Sequence, residues 1–168
     1  MTLFAVTQLR FARRNLLKIL EGVTAEEAVQ RLMPMNSLGW MLGHLASQEQ
    51  ANFILIAGND VPYSDLHKRV GFGFPASTPE LEEMRTVWQT VTAKADEFLD
   101  TLTPEKLVER PLWRGEPFKH TWGTLLLRTT YHYFYHTGEA SAIRQMQGYK
   151  TPDFVLKMTD DEEFNGQQ

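Results

Sequence analysis

Residues 121–148, TWGTLLLRTTYHYFYHTGEASAIRQMQG, form the longest uninterrupted helical pattern in the chain. At 100° per residue, several of them share an arc of roughly 80°, as on the core-facing side of a helix. The members of this arc are Trp122, Leu125, Thr129, His132, His136, Ala140 and Ile143. The stretch therefore predicts a long helix, beginning near Thr121 and ending at Gly148, that turns two histidines toward a protein core.

Three further amphipathic helices precede this one. Apolar residues step by three or four positions within 2–20, 37–57 and 78–102, which is the helical period. Thr78 stands where the N-cap of the third helix is expected, and Pro79 with the glutamates after it is typical of a first turn. Four long helices and no alternating strand pattern predict an all-α fold, a four-helix bundle.

The shorter connections carry helix-start signals of their own. Residues 24–27, Thr-Ala-Glu-Glu, form a capping box, which predicts a short helix that must end before Pro34. Ser37 is the expected cap of the second long helix. Residues 103–105, Thr-Pro-Glu, open another short helical turn that ends at Pro111.

One connection is long, and one end of the chain is polar. Residues 58–77 form a loop rich in Gly, Pro, Asn and Ser; its length suggests a crossover between the second and third long helices, and a segment that covers a site. Residues 111–120 are expected to be irregular. Residues 1–150 are expected to form one domain, and residues 151–168 a frayed, acidic tail.

Composition excludes several kinds of protein. The chain has 168 residues, no cysteine and a net charge of -4. Disulfides and thiolate metal sites are therefore excluded, and a nucleic-acid partner is not expected because phosphate binding needs a basic surface. There is neither a basic leader nor a run of ~18 apolar residues, so we expect a cytoplasmic protein without a membrane partner. Basic residues on the first helix are interpreted as a solvated face: Arg10, Arg13, Arg14 and Lys18.

The two histidines of the last helix are suited to a metal ion. His132 and His136 are four residues apart, so their side chains lie one turn apart on one face and can turn toward one point. A buried imidazole nitrogen without a partner costs about 1–3 kcal/mol, so both rings need a metal or hydrogen-bond acceptors. The alternative is a pair of core histidines bonded to the backbone or to neighbouring tyrosines.

A third histidine strengthens the metal interpretation. His44 lies two turns into the second long helix, beside its apolar face. Together with His132 and His136, it would supply three imidazoles to a first-row divalent ion and leave positions open for water or substrate. The remaining histidines, His67 and His120, fall in predicted loops, where surface or capping roles are expected.

Two motifs resemble a known family. Residues 36–46, NSLGWMLGHLA, are similar to the second-helix motif of the DinB-like metal-binding four-helix bundles. Residues 121–125, TWGTL, leading to His132-x-x-x-His136 and Thr-Gly, are similar to the fourth-helix motif. The resemblance covers about residues 9–149. It implies that His44, His132 and His136 are the metal ligands, with zinc, nickel or iron as the ion.

The resemblance also implies a range of functions. Some members of the family use a low-molecular-weight thiol in transferase or isomerase reactions, and others are described as metal-dependent hydrolases. We therefore expect either an enzyme with a small-molecule substrate, which takes any thiol from a cosubstrate, or a non-catalytic metal-binding or stress-response bundle that acts through partners. A purely structural bundle with core histidines is the third alternative.

One residue departs from the family pattern. Glu139 stands three residues after the last histidine, where the family commonly has Gln. It is a candidate catalytic residue that orients a ligand or acts as a base, and the alternative is an exposed or salt-bridged side chain. Arg128, one turn before His132, either fixes an anionic substrate or pairs with Glu139 or solvent. A solvent-accessible pocket at the metal is expected under the 58–77 loop, near Trp40 and Trp113.

The opposite side of the last helix predicts a homodimer. Leu127, Tyr131, Phe134 and Gly138 lie within about 60° of one another. Such an apolar stripe on an outer helix face favours contact with a second copy of the chain. The alternative is that the chain covers the stripe itself, with its N-terminal segment or with the tail around Phe154 and Val155.

Overall fold

A computed structural model describes residues 2–150 and 156–164, which are mostly helical as predicted. In chain order, the helices are α1 (Phe4–Ile19), α2 (Ala25–Val29), α3 (Leu38–Glu49), α4 (Leu66–Val70), α5 (Leu81–Leu99), α6 (Pro104–Val108) and α7 (Trp122–Met146). A π-helical segment, Gln50–Leu55, directly continues α3. In this described part of the chain, no helix is both long enough and apolar enough to cross a bilayer.

Most predicted helix starts are confirmed by their caps. The Thr24 side chain and the Glu27 carboxylate form the predicted capping box of α2. Ser37, Thr103 and Thr121 cap α3, α6 and α7, each accepting a hydrogen bond from the backbone N–H three residues on. These hydroxyls satisfy N–H groups that a helix leaves unpaired in its first turn.

The predicted start of α5 is wrong by a few residues. The helix begins at Leu81, with Glu80 extended before it and no side-chain cap. Pro79 passes so close to α3 that a Cβ on Gly39 would lie 2.2 Å from the Pro79 carbonyl oxygen. The chain is therefore still crossing α3 where the sequence pattern suggested a first helical turn.

The sequence did not predict two short secondary-structure elements, a helix and a hairpin. The loop 58–77 contains α4, and the stretch 111–120 contains a hairpin whose strands β1 (Leu112–Trp113) and β2 (Glu116–Pro117) pair antiparallel. Arg114 and Gly115 connect the strands with φ angles of 54° and 85°, as a two-residue hairpin turn requires. Elements this short give no periodic signal.

The core lies between the long helices. α1 packs against α7, α3 packs against α5, and α3 also contacts α7. Of the apolar positions predicted for α1, Leu9, Ala12, Leu16 and Leu20 are fully buried. The groove between α3 and α7 holds the histidines.

A buried polar network joins these helices and corrects the interpretation of one arginine. Arg13 of α1 is only 5% exposed, and its Nε donates to Glu49 Oε1 of α3 at 2.9 Å. Tyr133 of α7 donates to the same carboxylate and accepts from Trp88 Nε1 of α5 at 2.7 Å. Arg13 is therefore not part of a solvated face, because the carboxylate of Glu49 compensates its burial.

The C-terminal residues and Phe134 also differ from what the sequence predicted. The described tail residues are not frayed along α1: Asn15 Oδ1 accepts from the Leu156 backbone N–H at 2.9 Å, and Arg14 pairs with Glu162 at 2.7 Å. Phe134, assigned to the exposed stripe of α7, is half-buried with its ring 6.4 Å from that of Phe11. Phe154 and Val155, the alternative cover of that stripe, lie outside the described residues.

Candidate metal centre

Three histidines from two helices meet in the groove between α3 and α7. His44 comes from α3, and His132 and His136 come from α7. One ring nitrogen of each lies within 4.8 Å of those of the other two. The ring centroids are 4.6 to 5.3 Å apart. The structure thus brings together the residues that the spacing and the family resemblance had selected.

Each imidazole is held through its Nδ1 atom by an oxygen acceptor. His44 Nδ1 lies 2.7 Å from the backbone carbonyl oxygen of Val70, and His136 Nδ1 lies 2.8 Å from Glu139 Oε2. His132 Nδ1 contacts the Gln48 side-chain carbonyl oxygen. Carbonyl and carboxylate oxygens have no hydrogen to give, so each Nδ1 donates and each Nε2 keeps its lone pair.

The three lone pairs need a cation. His132 Nε2 and His136 Nε2 are 3.0 Å apart, and two unprotonated nitrogens at that distance repel each other unless a proton or a metal ion lies beside both. Three neutral imidazoles that are fixed by oxygen acceptors are also the donor set that divalent first-row ions prefer. The residues present therefore fit a bound divalent metal ion.

Burial keeps two of these histidines, His44 and His132, neutral. Desolvation lowers the pKa of His44 from 6.5 to about 4, although its hydrogen bond to Val70 opposes the shift. Desolvation, followed by the charges of the other two histidines, lowers the pKa of His132 to about 3. His136, on the same site, is 5% exposed. At neutral pH the Nε2 atoms of His44 and His132 are therefore available as ligands.

Small residues allow the chain to form the His44 contact. A Cβ on Gly43 would lie 2.4 Å from Met84 Sδ of α5 and 3.2 Å from a methyl carbon of Val70, so glycine lets both α5 and α4 pack closely on α3. A Cβ on Gly71 would lie 2.3 Å from the carbonyl oxygen of His67, where no side chain fits. These two glycines bring the Val70 carbonyl within reach of His44.

Aromatic rings border the centre. Trp40, one turn before His44 on α3, stacks on its ring with centroids 4.5 Å apart and planes 10° apart. The same indole meets His136 edge-on at 6.3 Å, and Tyr135 meets His136 edge-on at 5.2 Å. Trp40 thus lies at the centre, as expected, whereas Trp113 is on β1, with Arg114 over its ring.

The other candidate residues are placed differently. Glu139 is half-buried and contacts His136, and in the described part of the chain no ion pair joins it to Arg128. Arg128 is exposed, and its charge makes the smallest of the contributions that lower the pKa of His132. His67 and His120 are outside the cluster and contact Phe74 and Phe118.

Sequence reasoning missed the two acceptors that fix His44 and His132. Gln48 lies four residues after His44, so a polar side chain on the same helix face was visible in the sequence. Val70 was not detectable, because its backbone carbonyl serves as the acceptor and the side chain carries no signal.

The chain is similar in sequence to a known superfamily and in fold to a solved structure. The model of the DinB superfamily matches residues 8–140, which include all three histidines and Glu139. No curated protein matches the chain. The crystal structure of a conserved protein from Enterococcus faecalis is similar, with a TM-score of 0.67, 18% sequence identity and coverage of 89% of this chain and 99% of that chain. At that identity the likeness shows a shared fold alone.

Proposed function

The chain belongs to the DinB superfamily, and on that premise we propose that it is a metal-binding four-helix bundle in which His44, His132 and His136 hold one divalent ion, zinc, nickel or iron. The proposed four-helix bundle includes a crossover connection, which residues 58–77 make between α3 and α5. One observation carries it: one ring nitrogen of each histidine lies within 4.8 Å of those of the other two, while each Nδ1 is engaged by an oxygen.

We further propose that this centre is catalytic, as a hydrolase or as a transferase or isomerase that uses a low-molecular-weight thiol. When bound, the ion supplies Lewis acidity, which activates water or a thiol as a nucleophile at neutral pH. The chain has no cysteine, so the thiol comes from a cosubstrate. Three protein ligands leave coordination positions open for it.

The protein side chains orient the reactants and move the proton. Glu139 Oε2 fixes His136, and in the proposal Oε1 of the same carboxylate accepts the proton of the nucleophile. Trp40 covers one face of His44 and excludes water there. An assay of a thiol with an electrophile, with and without metal, tests catalysis; metal binding without turnover supports the non-catalytic alternative, a metal-binding or stress-response bundle.

Metal binding is tested first by the thermal stability of metal-stripped, tag-free protein. An ion that binds only the folded state adds RT ln(1 + [L]/Kd), about 2.7 kcal/mol at a hundredfold excess over Kd. We expect Zn²⁺ or Ni²⁺ to raise the melting temperature clearly. His132→Ala should abolish the rise, and His120→Ala, which alters a histidine outside the cluster, should retain it. An equal rise in His132→Ala would place the ion elsewhere.

We also propose a homodimer through the exposed side of α7. Leu127 is 46% exposed and Tyr131 is 63% exposed, and two-fold contacts between identical patches are the commonest form of assembly. Light scattering should give about twice the 19.4 kDa of one chain. Tyr131→Glu should yield monomers, and Leu112→Glu on the hairpin should not. A single-chain mass for the unmodified protein contradicts the dimer.

A further inference from the structure

A cavity of about 260 Å³ lies beside α3, between the π-helical segment and the residues that lead into α4. Ser47 of α3 and Ala51 and Leu55 of the π-helical segment form one side. Val61 and His67 belong to the opposite wall. No side chain of the three-histidine cluster is among its lining residues. The cavity is therefore a separate space from the metal centre, and its position relative to that centre decides what it can bind.

The cavity continues the helix face that carries His44. Ser47 and Ala51 follow His44 at steps of three and four residues, which keeps them on one side of the helix. In the other direction along α3, the ring of Trp40 already occupies the space one turn away, stacked on His44. The cavity therefore lies on the helix face that His44 also occupies, and Ser47, one of its lining residues, follows His44 by about one turn.

The π-helical segment builds this wall. Gln50, Ala51 and Leu55 all belong to it, and π-helical turns occur often at functional sites. The buried Gln50 amide binds both backbone groups of Tyr63: Oε1 accepts from the N–H at 3.0 Å, and Nε2 donates to the carbonyl oxygen at 2.8 Å. This pair of hydrogen bonds holds the opposite wall at a fixed distance from α3.

The lining selects a neutral, apolar group. Ala51, Leu55 and Val61 supply hydrocarbon, and the lining residues that the structure describes include no aspartate, glutamate, lysine or arginine. The polar members of the lining are Ser47, Gln50, Ser64 and His67. Leu55 is 41% exposed, so a bound apolar group would remove part of its surface from water, which favours binding. A cavity of about 150 Å³ admits benzene, so this larger space admits a substituted aromatic ring.

We propose that this cavity receives the apolar part of the molecule that binds at the three-histidine centre. The ligand class is a small amphipathic molecule, with a metal-binding head group and an uncharged aromatic or aliphatic group that lies against Ala51 and Leu55. The inference rests on the proposed metal function, because the head group must be held at His44, His132 and His136.

The test compares two thiols of similar acidity on cobalt-loaded protein under anaerobic conditions. Phenylmethanethiol carries an apolar ring and 2-mercaptoethanol does not, and the visible absorption of Co²⁺ reports thiolate binding to both. We expect phenylmethanethiol to bind at least tenfold more tightly. Ala51→Leu, which fills the cavity, should remove this preference and leave the affinity for 2-mercaptoethanol unchanged. Ala93→Leu, at an exposed position on α5, is the matched control and should keep the preference.

A second variant keeps the inference testable if Ala51→Leu does not fold. Leu55→Ser removes apolar lining at a partly exposed position and should reduce the preference severalfold. If both thiols bind but neither variant changes their ratio, the cavity is not the subsite and the metal proposal stands. If neither thiol alters the cobalt spectrum, thiol binding at the centre is wrong, and the inference fails with it.

Discussion

At the scale of single residues, the position of one glutamine decides how well the centre is prepared for a metal ion. Gln48 accepts the Nδ1 hydrogen of His132 and so directs its Nε2 toward His136. Removing such a supporting hydrogen bond typically costs 10- to 100-fold in metal affinity. We therefore expect Gln48→Leu, which keeps the side-chain bulk but removes the acceptor, to weaken Zn²⁺ binding by about that factor in a chelator competition.

The control for this prediction lies one turn further along the same helix. Asn52 Nδ2 donates to Thr129 Oγ1 at 3.0 Å, so it also joins α3 to α7 but does not contact a histidine. Asn52→Ala should leave the Zn²⁺ affinity within about twofold. Equal losses in both variants would mean that Gln48 acts only through helix packing.

Residue patterns predicted the three histidines and named Glu139, which contacts His136, but they did not predict the acceptors of His44 and His132. His132 and His136 were visible because a four-residue spacing puts two side chains on one face. The support of His44 was not visible, because Val70 acts through a backbone carbonyl on a five-residue helix. Side-chain chemistry can be inferred from sequence, whereas a backbone acceptor depends on where a loop passes.

At the scale of elements, the capping box of α2 predicts a pH dependence of stability. The Glu27 carboxylate accepts from the Thr24 backbone N–H at 2.8 Å and from Arg144 Nη1 at 3.2 Å. The hydrogen bond from Thr24, followed by one from Tyr149, lowers the pKa of Glu27 from 4.5 to about 2. The folded state therefore binds this proton less readily than the unfolded state, and the stabilisation is present above about pH 4.5 and lost as the pH falls toward 2.

The measurement is the difference in melting temperature between the unmodified protein and Glu27→Gln. This difference should be constant above about pH 5 and should shrink as the pH falls toward 2. Glu26→Gln makes the same change of charge at an exposed neighbour and should have little effect at any pH. A difference for Glu27→Gln that is the same at pH 3 and pH 7 would contradict the assignment.

Element ends were predictable where a side chain caps them and not where packing decides. Thr24, Ser37 and Thr121 gave correct helix starts, because a hydroxyl that satisfies a first-turn N–H is local chemistry. The start of α5 depends on how Pro79 crosses Gly39 of α3. This is a tertiary contact, which the local sequence does not reveal. The π-helical segment over 50–55 is also not evident, since a single widened turn hardly disturbs the apolar spacing.

At the scale of the whole molecule, one buried network connects the four long helices. Arg13 of α1 binds Glu49 of α3 and Asp96 of α5, and Tyr133 of α7 donates to Glu49. Burial disfavours the charge of Arg13, but Glu49, together with Tyr133 and Asp96, outweighs this effect and raises the pKa of Arg13. The sequence did not predict this network, because an arginine on an amphipathic helix normally faces solvent.

The buried network lies directly beside the three-histidine cluster along both α3 and α7. Glu49 directly follows Gln48 on α3, and Tyr133 directly follows His132 on α7, so two neighbouring hydrogen bonds cross between the same helices. The hydrogen bond between Tyr133 and Glu49 belongs to the buried network, and the hydrogen bond between His132 and Gln48 supports the histidine cluster. The helix pairing that buries Glu49 is therefore the pairing that presents Gln48 to His132.

Removing Glu49 should be among the most damaging single changes in this chain. Glu49→Leu leaves Arg13 buried with only the partly exposed Asp96 as its partner, and breaking a buried ion pair on one side typically costs about 3–5 kcal/mol. We expect a loss of that size in the free energy of unfolding measured with urea. Replacing both partners, Arg13→Leu with Glu49→Leu, removes the uncompensated charge and should recover a large part of the loss. A double variant as unstable as Glu49→Leu would mean that lost packing, and not the stranded charge of Arg13, sets the cost.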